Sequence, residues 1–260
     1  MYKIHLPCRE IQENLDLEDP WGSIYEEYKD IYEASIGKMQ GKNPRHIFAT
    51  DRNIKRIVEN LCEYEKRRCE IKEIIEKSMK ICPTKEDFNV FFLPVPVDDY
   101  MIITQYSKNL GAFIFFGVGE SMEIMNLNIF LPHEYAHIVR LQRVMIPAGI
   151  YSPYQMTFED LALFEGLGVV FSCIFNGDAK EDTWKCIPMR KGEWDKVMEN
   201  EKYIISRFKK MKEIKITPET ISMFYGKREG YIIGSLVVWK LLKKSDICTL
   251  SRTQYSSIHL

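Results

Sequence analysis

No CxxC pair occurs among the seven cysteines at positions 8, 62, 69, 82, 173, 186 and 248, and their number is odd. A disulfide framework and a cysteine zinc site are therefore both unexpected, and reduced thiols acting as small buried hydrophobes fit better. No apolar run approaches the roughly 18 residues that a membrane span needs. The longest, LALFEGLGVVFSCIF at 161–175, is too short and carries a charge. The opening stretch MYKIHLPCREIQENLDLEDP lacks a basic flank followed by an apolar core, so it does not read as a signal peptide. Neither charge sign is in excess: 36 basic residues face 37 acidic ones, for a net charge of −1. That balance gives no electrostatic ground for a nucleic-acid or anionic-membrane partner. Internal repeats and low-complexity tracts are missing as well. Together these absences lead to the expectation of a cytoplasmic globular protein.

What is present is an ordinary globular composition, 45% apolar and 28% charged over 260 residues. Residues 24–40 read as helix, ending near Gly37 or Gly41. In the next stretch Ile54, Ile57, Val58, Leu61, Tyr64, Ile71, Ile75 and Met79 mark one face of a single long helix. Thr50 or Asp51 is placed to cap it and Pro83 to stop it. The pattern then changes. FNVFFLPV (88–95) and GAFIFFGV (111–118) are aromatic, β-branched and bounded by Pro and Gly, as strands are. MEIMNL (122–127) is a third candidate strand. Strands clustered between helical blocks indicate α+β architecture. The chain is expected to divide into an N-terminal helical region at 1–84 and a second region at 85–260, within one continuous globular unit.

LPHEYAHIVR, residues 131–140, carries the chemistry. Asn128 can cap a helix running to about Arg143, with Pro132 in its first turn. On that helix His133 and His137 are i, i+4 neighbours and can reach one ion. Glu134 points about 100° away and can take a proton without ligating. With only five histidines in the chain, chance placement gives HExxH roughly 0.01 times. The alternative, a surface helix with two solvated histidines, is correspondingly weak. Arg140 and Arg143 exclude a third histidine close by, so a carboxylate further on is required. TFEDLALFEGLGVVFSCIFNG, residues 157–177, supplies it. Thr157 and Asp160 form a capping-box-like start, and Asn176–Gly177 a stop. Glu165 is the one charge within 161–175, and an isolated carboxylate is costly to bury unless paired or bound to metal. Gly166 and Gly168 remove bulk beside it, so this helix can approach another closely. Glu159 and Asp160 are competing ligands, and a Glu165 pair with Arg140 or Arg143 is the bland alternative. Two histidines and a carboxylate leave one coordination place open, the layout of a catalytic zinc, one Zn2+ per chain. Such a site would hydrolyse by metal-activated water with Glu134 as general base.

HEYAH followed by ALFEGLG resembles the gluzincin arrangement of zinc metallopeptidases. With the later GYIIG (230–234), it is similar to the bacterial YjaZ-like family of predicted zinc-dependent proteases over roughly residues 85–245. The resemblance implies a zincin-like fold, mostly helical, with a small twisted β-sheet packed over the HExxH helix. It implies zinc on His133, His137 and Glu165, catalysis by Glu134, and a peptide or protein substrate. A tyrosine downstream of the glutamate ligand would steady the oxyanion. Tyr231 is the first choice, with Tyr225 and Arg228 as rivals. Val169 stands where thermolysin-like enzymes carry an Asp that orients a ligand histidine, and Gly168 where Ala is more usual. Asp160 is a weak substitute for that orienting Asp. GAFIFFGV is the expected edge strand for substrate pairing. Glu120 and Glu123 are candidates for a free substrate amine. MIPAGIYSPYQM (145–156) either rims the cleft or simply connects. His5, His46 and His259 read as solvated or structural. Two rival functions stand beside peptidase: a metal-binding but catalytically silent peptide-binding or regulatory protein, and a metal-free helical interaction protein.

Overall fold

The computed structural model describes residues 1–37, 44–48, 50, 52–98, 100–121, 126–187, 189–226 and 228–254. It is mostly helical with one four-stranded sheet, an α+β architecture. The chain forms two compact units, 1–73 with 86–125, and 74–85 with 126–260. Among the described residues no helix is long and apolar enough to cross a membrane.

The first unit contains β1 (Tyr2–His5), α1 (Cys8–Glu13), α2 (Pro20–Glu27), α3 (Lys29–Tyr32), α4 (Arg45–Phe48), α5 (Ile54–Lys66) and the start of α6 (Arg68–Ile81). β2 (Phe88–Pro94), β3 (Met101–Ser107) and β4 (Gly111–Val118) complete it. The sheet order is β1-β2-β4-β3, parallel except for the β3–β4 pair. β2 and β4 are the central strands and are buried almost throughout, which is why they read as unbroken apolar runs. GAFIFFGV is thus interior, paired on both sides, and not the edge strand expected from its sequence. The edges are β1 and β3, and β3 is half-exposed along its length. Both edge strands escape the sequence reading. Tyr64 of α5 packs its ring on Phe92 and Phe116, 5.5 and 5.2 Å away. Of the third candidate strand, 122–127, residues 122–125 lie outside the described residues, Asn126 is a helix cap and Leu127 is already helical.

Three local expectations need correcting. The single helix expected over 51–82 is two, because Arg67 leaves helical geometry (φ −95°, ψ 12°). Asn53 caps α5 by accepting from Arg56 N, two or three residues past the expected cap; Asp51 is outside the described residues. The helix expected over 24–40 is likewise divided, into α2, α3 and a π turn ending at Gly37; residues 38–40 and Gly41 lie outside the described residues. The cysteines depart from expectation as well. Cys8 and Cys62 are joined as a disulfide between α1 and α5. The cytoplasmic expectation leaned on unpaired thiols, and this bond removes that support.

The second unit holds the rest of α6, then α7 (Leu127–Arg140), α8 (Phe158–Asn176), α9 (Lys191–Glu199), α10 (Glu201–Met211), α11 (Pro218–Gly226), α12 (Glu229–Leu241) and α13 (Ile247–Arg252). α8 is its centre, packed against both α7 and α12. The α8–α12 crossing is a backbone contact. A Cβ on Gly166 would lie 2.1 Å from the carbonyl carbon of Gly234, and one on Gly234 would lie 1.8 Å from the oxygen of Ala162. The close approach expected of Gly166 is therefore present.

Candidate metal centre

α7 begins two residues earlier than its sequence suggests. Asn126 is the cap, accepting from Asn128 N, and Pro132 consequently falls inside the helix. A proline there deprives the carbonyl of Asn128 of its intrahelical donor and strains the neighbouring bond. α8 compensates. Asn176 Nδ2 donates to the oxygen of Asn128 at 2.9 Å, and Ser172 Oγ to that of Ile129 at 2.7 Å. α7 is thereby tied to α8 one turn before the histidines. α8 itself starts on the Thr157–Asp160 capping box and ends on Gly177 at φ 75°, as its sequence indicates. Asp160 is engaged in that box through Thr157 N and Oγ1, so the candidacy of Asp160 as ligand or orienting group falls away.

His133, His137 and Glu165 converge. One ligand atom from each lies within 4.8 Å of the others, and all three side chains are buried. Oε2 of Glu165 is 3.3 Å from Nε2 of His133 and 3.5 Å from Nε2 of His137. The imidazoles stand edge to face with centroids 4.6 Å apart. His137 also stacks on Phe164, 3.8 Å away and within 5° of parallel. Gly168 makes room for the first histidine, since a Cβ there would meet the His133 ring at 2.7 Å. Burial alone would push the Glu165 carboxyl up, but the two imidazoles hydrogen-bonded to it hold it well below the usual carboxylate range. For His133, burial opposes the charged form, yet Glu165 and Glu134 carry its pKa above the ordinary value. Arg140 is fully buried, and its guanidinium donates to the carbonyls of Leu250 and Thr253. Among the described residues the partners of Glu165 are the histidines and Tyr225.

These donors fit a zinc ion. Two neutral imidazoles and one carboxylate are a common catalytic set, and their acceptor atoms already face one point. Nδ1 of His137 is buried with no hydrogen-bond partner. Val169, fully buried and apolar, stands four residues after Glu165 and has no group to offer an imidazole. Stacking on Phe164 orients the ring of His137 in place of such a bond.

Glu134 is buried beside the set, close enough for its charge to act on His133, Tyr225 and Tyr231. Tyr231 on α12 has its ring 6.1 Å from His133 and 5.9 Å from Tyr225. Burial, then the charges of Glu165 and Glu134, push the Tyr231 hydroxyl far up, so it keeps its proton at neutral pH. Tyr225 on α11 donates to Oε1 of Glu165 at 2.7 Å. Arg228 is exposed at the left-handed residue (φ 56°) preceding α12.

Glu159 is half-buried, and burial raises its carboxyl. Glu120 belongs to the first unit and lies 3.6 Å from Arg52; Glu123 and His259 are outside the described residues. His5 stacks on Phe91 and contacts Asn89, a structural role. A cavity of about 230 Å³ beside Arg140, Met145, Met156 and Asp160 has none of the three ligands in its walls.

The model of a family described as "Predicted Zn-dependent protease (DUF2268)" matches residues 68–259. The chain belongs to this family. The match contains all three ligand candidates, Glu134 and both tyrosines, so the family's description and the buried cluster refer to the same segment. No curated protein and no solved structure is similar enough to match. What the sequence reading left undecided is the division of labour between the tyrosines. Tyr225 lay in plain view six positions before Tyr231, but nothing in its local pattern distinguishes a hydroxyl aimed at Glu165 from a packed ring.

Proposed function

We propose that the protein is a zinc-dependent peptidase of gluzincin type, with one zinc on His133, His137 and Glu165. The observation that carries this reading is the burial of those three ligand atoms within 4.8 Å of one another, beside an acid that is not among them. When bound, zinc would supply a Lewis acid for a scissile carbonyl and would acidify water. Glu134 accepts the proton of the attacking water and delivers it to the departing amine. Tyr231, kept protonated by its surroundings, donates to the oxygen on which negative charge develops. Burial of the cluster keeps its electrostatic interactions strong. The substrate is a peptide or protein chain; nucleic acid and membrane have no part in it.

Metal analysis of the purified protein should give one zinc per chain. Cleavage of a peptide library should stop on chelation and resume on adding zinc. Glu134→Gln should retain the zinc and lose cleavage, since Glu134 handles the proton and not the ion. Zinc-loaded protein that cleaves nothing would return the site to a metal-binding, catalytically silent role. Loss of zinc in Glu134→Gln would make Glu134 a ligand.

A further inference from the structure

The two oxygens of Glu165 meet different neighbours. Oε2 faces Nε2 of both histidines, at 3.3 and 3.5 Å. Oε1 accepts a hydrogen bond of 2.7 Å from the hydroxyl of Tyr225. We propose that Tyr225 is a positioning residue: it occupies Oε1, so that Glu165 offers Oε2 alone to the ion shared with His133 and His137. Tyr231 is then the hydroxyl left for substrate. This rests on the zinc reading above.

A carboxylate can give a metal one oxygen or two. The difference matters here, because a second oxygen would fill the coordination place that water or substrate needs. A short O–H···O⁻ bond is among the stronger hydrogen bonds, and shielding from solvent strengthens it. Hydrogen bonds behind a ligand carboxylate commonly orient it and tune metal affinity. The packing around Tyr225 supports this one role. Its ring stands edge-on to Phe224, 5.2 Å away, and leans on Tyr231. Phe224 in turn packs edge-on against Phe158 on α8 at 5.3 Å. Phe224 reaches this place only because residue 230 is glycine, since a Cβ there would lie 1.7 Å from its ring. α11 is thus fastened to α8 and α12 by aromatic contacts, and Tyr225 is held with its hydroxyl on the far oxygen of Glu165. A residue already donating to a ligand is poorly placed to donate to substrate as well. Tyr231 has no such bond to Glu165 among the described contacts, although both tyrosines sense its charge.

The test compares Tyr225→Phe with Tyr231→Phe, using zinc(II) and cobalt(II) salts as probes. The wild-type protein should bind one metal ion. Tyr225→Phe should weaken zinc binding about 10- to 100-fold. Its cobalt form should show weaker visible absorption bands than wild type, as Oε1 is released to the ion and the coordination number rises. Tyr231→Phe should leave metal affinity and the cobalt spectrum unchanged while lowering kcat. Should Tyr225→Phe fail to fold, Tyr225→Met removes the hydroxyl with a flexible filler and carries the same expectations. A wild-type protein that binds no metal would sink the zinc reading itself. Metal-binding wild type, with Tyr225→Phe unchanged in affinity and spectrum, would overturn the role of Tyr225 alone. A spectral change in Tyr231→Phe with none in Tyr225→Phe would show the two roles exchanged.

Discussion

Gly168 sits on α8 against the ring of His133, where an added Cβ would come within 2.7 Å of the imidazole. Two effects oppose each other in Gly168→Ala. Helix propensity favours alanine by about 1 kcal/mol. The contact opposes it, and the atoms to be displaced belong to a buried ring fixed by Glu165, not to the loose end of a long side chain. Local geometry at the ligand should therefore suffer while the helix gains. We expect Gly168→Ala to fold with helicity undiminished and to bind zinc about tenfold more weakly, ~1.4 kcal/mol. Competition with a chromophoric chelator measures this, and unchanged affinity would show that the imidazole yields freely. The sequence marks this glycine as a departure from the alanine usual in similar proteins and as a position of reduced bulk beside Glu165, where a helix could approach. Its reason, a ring approaching from another helix, is not a property of local sequence. The three proposed ligands stand out as candidates for the opposite reason. His133 and His137 are paired by helical spacing, and Glu165 is conspicuous as a charge on an apolar helix.

α7, α8 and α12 show how far pattern reading reaches for whole elements. Both ends of α8 were readable because capping box and Gly177 are local chemistry. The start of α7 was not, because Asn126 and Asn128 are both competent caps and the choice between them depends on α8. A cap at Asn128 would have kept Pro132 at the edge of the first turn. The observed cap places it inside the helix, and Asn176 donates to the carbonyl of Asn128 that the proline leaves without its helical donor, while Ser172 donates to the next carbonyl, that of Ile129. β3 was missed because a half-exposed edge strand carries too few apolar residues to stand out, and β1 because four residues give no period. The α8–α12 crossing supplies the prediction at this scale. Gly234→Ala would drive a methyl group into the backbone oxygen of Ala162, and backbone cannot swing aside as a side-chain tip can. Overpacking of this kind costs about 1–3 kcal/mol, which outweighs the propensity gain of about 1 kcal/mol. Gly234→Ala should lower the denaturant midpoint without changing the slope of the transition. A higher midpoint would mean that the helices separate without penalty.

Over the whole chain, the cysteines were the least legible feature. Sequence spacing does not say which distant thiols meet, yet Cys8 bonds Cys62 in the first unit, and Cys82 stands 2.6 Å from Cys248 in the second. All three proposed zinc ligands lie in the second unit, on α7 and α8, with α11 and α12 closing on them. A ligand that binds only the folded state stabilises it by mass action, about 2.7 kcal/mol at a free concentration of 100 Kd. Amide hydrogen exchange of α7, α8 and α12 should then slow on zinc loading, by about 100-fold for amides that exchange through opening of this unit. Chelation should reverse the gain. The effect has a sign in pH as well. Zinc needs both imidazoles neutral, and the neighbouring carboxylates raise His133 above its ordinary value despite burial. Protons therefore compete for the site, and acidification should shrink the zinc-dependent protection while leaving exchange in the chelated protein as its own reference. Equal exchange of these helices with and without zinc at neutral pH would show that the ion does not bind here. A protection gain that grows on acidification would place it on ligands other than the histidines.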